Sequence, residues 1–73
     1  MKTLKALREA AGLTLQETAT RAELSMSTVQ KLEAGLVAAP AYATLAALAT
    51  VYGVPVESVA AALDATLGAA ATA

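Results

Sequence analysis

Met26, Ser27, Gln30 and Lys31 are the residues of this 73-residue chain whose types and spacing could do chemistry. At i, i+1, i+4 and i+5 of a helix they share one face, an arc of about 140°. A serine hydroxyl bonds to several base edges, glutamine matches adenine, lysine suits O6 and N7 of guanine, and a methionine can pack on a thymine methyl. That chemistry is recognition, not turnover. The chain has no His and no Cys, and its six carboxylates are scattered over helix surfaces. Neither a general base beside a nucleophile nor a metal-ligand set can be assembled from them. No glycine-rich loop offers to cradle a phosphate, and Ser25 reads as a helix cap, with no base at a recognisable spacing. No catalytic residue, no metal and no cofactor is expected, and the chain is expected not to be an enzyme. Taken alone, Ser, Gln and Lys on an exposed face fit an ordinary solvated surface equally well, so the elements that position them decide.

Those elements centre on Thr14 to Gly35. Thr14 followed three residues later by Glu17 spells a capping box, which starts a helix over about Leu15 to Ala22. Leu15, Ala19 and Ala22 give it an apolar face. Ala22-Glu23-Leu24 breaks it, Ser25 is a second N-cap, and a helix over about Met26 to Ala34 follows with Val29 and Leu32 inward. Gly35 stands where a left-handed cap ends a helix. Two short helices joined by about four residues match the helix-turn-helix unit, whose second helix can enter the DNA major groove. A helix over Thr3 to Ala11 precedes the unit, with Leu4, Leu7 and Ala11 inward. Tyr42 to Tyr52 and a last helix from Val56 follow it.

With these motifs in place, the chain resembles the phage repressor/Cro-type helix-turn-helix domains from about Leu4 to Leu63. The resemblance is carried by Arg8, Gly12-Leu13-Thr14, Ala19, Leu24-Ser25, Ser27-Thr28-Val29, Leu32-Glu33, Gly35, Leu45, Leu48, Gly53-Val54 and Val59. It implies an all-α fold, a compact five-helix lambda-repressor-like domain over residues 1–67 with its helix-turn-helix at about 15–34. It further implies that Arg8 pairs with Glu33 as a structural ion pair, and that Lys5, Gln16 and Thr28 hold DNA phosphates. Met26, Ser27, Gln30 and Lys31 become base-reading residues. Relatives commonly dimerise through the last helix or the preceding loop, which points to Val56, Val59, Leu63 and Leu67 as a dimer surface. Several positions depart from the family pattern. Thr18 replaces a usual leucine, predicting a thinner core there. Leu15 stands where many relatives place a phosphate-holding glutamine, with Gln16 one residue later. Glu23 replaces a turn glycine, predicting a slightly different turn. Leu36 to Ala39 replaces basic and polar residues, and Tyr42 is expected to pack at the core or its rim.

Composition sets the limits. Ala accounts for 21 residues, leaving 21 Leu, Val, Met and Tyr to build the core. So short a chain supports one small domain that needs close helix packing or dimerisation, and the Ala content favours helix. Residues 68–73 carry no anchoring side chain and are expected to fray. No apolar run reaches the roughly 18 residues of a membrane span and no signal segment opens the chain, so a cytoplasmic protein without a membrane partner is expected. The net charge is -1, whereas DNA-binding domains are commonly basic. All five basic residues nevertheless lie within the first 35 positions beside four acids, while Glu57 and Asp64 are the only charges after them.

Two functions from different classes follow. The first is a sequence-specific double-stranded DNA-binding regulator, binding a near-palindromic operator as a homodimer. The second is a protein-interaction module on the same fold, antitoxin- or anti-repressor-like, supported by the low basic count, the uncharged Leu36 to Ala39 loop and the apolar last helix. Salt-sensitive binding to duplex separates them.

Overall fold

Three hydroxyls start the first three helices by one device. The side chains of Thr3, Thr14 and Ser25 accept hydrogen bonds from the amides of Ala6, Glu17 and Thr28 at 3.2, 3.1 and 3.1 Å, each satisfying a donor that the helix itself leaves unpaired. At Thr14 the box is closed by Glu17 Oε1, which accepts from the Thr14 amide at 2.9 Å. In this computed structural model, which describes residues 2–72, the helices are α1 (Leu4–Ala10), α2 (Leu15–Ala22), α3 (Met26–Glu33), α4 (Tyr42–Tyr52) and α5 (Val56–Thr72). The fold is all-α, five helices with no strand among the described residues. α1 and α3 are shorter than their sequence ranges because Thr3, Ala11 and Ala34 serve as caps outside the helices.

Glu23 takes the left-handed conformation itself, with φ 58° and ψ 40°. The turn between α2 and α3 therefore keeps the geometry a glycine would give it, at a cost of about 1 kcal/mol. The altered turn anticipated from sequence does not occur.

The core is drawn from every helix. Leu4, Val29, Leu32, Leu48 and Val59 are each at most 1% exposed, and burying side chains of this size contributes about 2 kcal/mol apiece. α2 packs on α3 and α4, and α5 lies across α4 and α1, with α1 and α5 both reaching α3. Thr18 sits at full burial within α2, and its Oγ1 makes no hydrogen bond among the described residues. The small β-branched side chain keeps the layer closed, while its hydroxyl goes unpaired at an expense a leucine would avoid.

α4 and α5, joined across residues 53–55, turn by 107°. No single described helix is long and apolar enough to cross a membrane. α5 continues through Gly68 to Thr72, and residue 73 lies outside the described residues. Alanine, the strongest helix former, surrounds that glycine, and the last turns rest on the segment after α3, as described below.

Candidate nucleic-acid interface

α3 is held from beneath by Val29 and Leu32, both 1% exposed. On a helix these two directions lie about 200° from the centre of the arc shared by residues 26, 27, 30 and 31. The structure accordingly leaves Met26, Ser27, Gln30 and Lys31 exposed together. Thr28, on the margin, is half-buried. Its hydroxyl lies 2.8 Å from Ser25 Oγ, so part of its hydrogen-bonding capacity serves the cap of α3 as well as any outside partner. Lys5 and Gln16 are exposed in the first turns of α1 and α2.

The far end of α3 is fixed by charge. Arg8 Nε donates to Glu33 Oε2 at 2.7 Å and Nη2 to Glu33 Oε1 at 3.3 Å. Nη1 donates to the Leu13 carbonyl at 2.9 Å. The guanidinium thereby ties α1, the loop before α2 and the end of α3 in one fork. The hydrogen bonds to Glu33 hold the Arg8 pKa above its usual value against the opposing effect of burial. Both side chains are only 11% exposed, so neither is available to a phosphate. Tyr52 stands nearby on α4. Burial is the main cause that pushes its phenol above the usual range, while Glu33 and Arg8 act on it in opposite directions. The phenol stays neutral near pH 7.

After α3 the chain turns on a Schellman motif: the Gly35 amide bonds to Leu32 O at 3.2 Å and the Leu36 amide to Lys31 O at 3.0 Å, as such caps require. Leu36 then emerges 73% exposed and Tyr42 70% exposed. The sequence placed Tyr42 at the core or rim; the structure places it in solvent, because Leu45, Leu48 and Ala49 supply the inward face of α4. α4 begins on Ala41 with no side-chain cap; the Thr44 amide bonds to the Ala41 carbonyl at 3.0 Å, leaving the amides before it to outside acceptors.

The dimer surface drawn from sequence needs correction. Val59 is 0% and Leu63 6% exposed, and both belong to the core within one chain. Val56 and Leu67 are half-buried against that core. All four lie on one stripe, and the stripe was taken up by α1 and α4.

Two features were missed. Thr66 is buried, accepts from the Leu4 amide at 3.0 Å and donates to Ala62 O at 2.8 Å; a threonine at i+7 from Val59 in an apolar stripe was its visible signal. The close approach of Gly35 to α5 left no such signal. No group of three or more potential metal ligands occurs among the described residues.

The sequence model of a family described as "helix-turn-helix domain" matches residues 2–63. No curated protein and no solved structure matches the chain.

Proposed function

The chain belongs to the helix-turn-helix domain family, and from that premise we propose that it is a sequence-specific double-stranded DNA-binding protein that regulates transcription as a repressor of the phage repressor/Cro type. The observation that carries this reading is the exposed arc of Met26, Ser27, Gln30 and Lys31 on the second helix of the unit, over a core face that is fully buried. Inserted in the major groove, Gln30 and Lys31 read adenine and guanine, Ser27 bonds a neighbouring base edge and Met26 packs on a thymine methyl. Lys5, Gln16, the Thr28 hydroxyl and the uncapped amides of α4 hold phosphates, fixing register without reading sequence.

A homodimer places two copies of α3 about 34 Å apart on a near-palindromic operator. Val56 and Leu67, at one edge of α5, are what remains of the proposed dimer surface. The protein acts in the cytoplasm, without a cofactor and without catalysis. Few cationic groups reach phosphate, so affinity falls with a shallow salt slope, close to one logarithmic unit per phosphate contact.

Enrichment of purified protein on randomised duplexes at low salt tests the reading. A recovered symmetric motif, bound less tightly as salt rises, supports a dimeric operator-binding protein. The double variant Gln30→Ala/Lys31→Ala should then fold normally and lose discrimination among bases; unchanged discrimination removes the base-reading assignment.

One observation favours a second reading. Leu36 and Tyr42, two large exposed apolar side chains, flank a loop without charge. A protein-interaction module, antitoxin- or anti-repressor-like, would use such a surface, and well-folded protein that enriches no duplex would favour it.

A further inference from the structure

The family match ends at residue 63, yet the next two turns of α5 touch both α1 and the turn that ends α3. Thr66, 4% exposed, accepts the Leu4 amide and so anchors the first turn of α1. One turn later, Ala70 meets the bend after α3. A Cβ built on Gly35 would lie 2.6 Å from Ala70 Cβ and 3.4 Å from the Thr66 carbonyl oxygen. Gly35 therefore serves two purposes: it takes φ +75°, and it lets α5 come close enough for contact.

Together with Arg8–Glu33, these contacts close a triangle. Arg8 links α1 to the end of α3, Thr66 links α5 to α1, and Ala70 links α5 back to the Gly35 turn. The other end of α3 is fixed by its Ser25 cap and the turn from α2. A helix of eight residues held at one end by a turn and at the other by this triangle has its tilt set by both.

We propose that Thr66 and Ala70 are positioning residues for α3, so that the end of α5 beyond the family match sets the tilt at which the exposed arc is presented. The consequence for DNA affinity rests on the DNA-binding reading above; the tilt itself does not.

The full chain carries the test through a matched pair. Ala70→Val inserts two methyl groups at the Gly35 contact, and Ala71→Val makes the same change, with the same helix-propensity cost, one residue along. Amide residual dipolar couplings of residues 26–35 report the tilt without DNA, and affinity for the enriched duplex reports its use. Ala70→Val should change the couplings and the Gly35 and Leu36 amide shifts, and weaken binding by about tenfold, the equivalent of one misplaced base contact. Ala71→Val should leave all three near the parent values. Thr66→Ser should keep the parent tilt while Thr66→Val changes it. An unmoved α3 in Ala70→Val overturns the proposal; a moved α3 that still binds with parent affinity upholds the positioning by α5 and removes its consequence for DNA. If the parent itself binds no duplex, the DNA reading fails and the couplings alone decide whether α5 sets the tilt.

Discussion

The two halves of this molecule are built on different principles. From Thr3 to Glu33 each helix opens on a hydroxyl cap, and the charged side chains of that half either form the partly buried Arg8–Glu33 fork or stand in solvent. From Leu36 onward α4 begins without a side-chain cap, charge nearly disappears, and helices are specified by alanine and by what they cover. The first half is defined by local hydrogen bonds, the second by long-range contact. The proposed recognition surface lies in the half whose helix ends are locally capped, and the second half serves as the platform beneath it.

The sharpest break should come where the first half depends on a partly buried ion pair. Arg8→Ala strands Glu33 and frees the Leu13 carbonyl, and should cost about 2 kcal/mol in thermal or denaturant unfolding. Arg8→Met combined with Glu33→Leu should recover most of that loss, since an apolar pair of similar volume needs no charge partner. A double variant as unstable as Arg8→Ala would show that the fork contributes more than mutual neutralisation.

The next largest effect sits at the joint between the halves. Gly35 and Gly53 share a left-handed backbone, with φ +75° and +69°, but a Cβ on Gly53 meets nothing within 4 Å. Gly53→Ala should cost about 1 kcal/mol from backbone strain alone. Gly35→Ala should cost about 2 kcal/mol or more, because Ala70 must also move. Equal losses would mean that the α5 contact is soft.

Within the first half, Thr18→Val keeps the shape and removes an unpaired buried hydroxyl. It should stabilise the fold by about 1 kcal/mol in chemical denaturation. Glu23→Gly should add up to about 1 kcal/mol by relieving the left-handed strain.

The smallest effect is a pH dependence. Glu17 accepts from the Thr14 amide, and this bond, with that to the Thr14 side chain, holds its carboxyl below the usual range. A depressed carboxyl stabilises above its unfolded pKa and loses that contribution as pH falls through the folded value. The start of α2 should therefore loosen on acidification through the carboxylate range, seen in amide exchange of residues 14–18, and Glu17→Gln should flatten the trend.

The same contrast explains what could be read from the sequence. Thr14, Ser25 and Gly53 announce helix ends because capping involves residues three or four apart, and the arc of α3 follows from period alone. Val59 and Leu63 show the limit. Periodicity identifies an apolar stripe without saying whether another chain or the same chain covers it, and here α1 and α4 do. Tyr42 failed for the same reason, since nothing local distinguishes an aromatic at the rim from one in solvent. The last turn of α5 and its seat on Gly35 join residues about 35 positions apart, beyond the reach of any local pattern.

The central claim is that the exposed face of α3 is a DNA-reading surface. Titrating isotope-labelled protein with the enriched duplex, and recording amide and side-chain shifts, tests it most directly. The largest changes should fall on Met26, Ser27, Gln30 and Lys31, with smaller ones at Lys5, Gln16 and the start of α4, and all should fade as salt rises. Changes confined to α5 or to the Leu36–Tyr42 segment, with α3 unmoved, would contradict it.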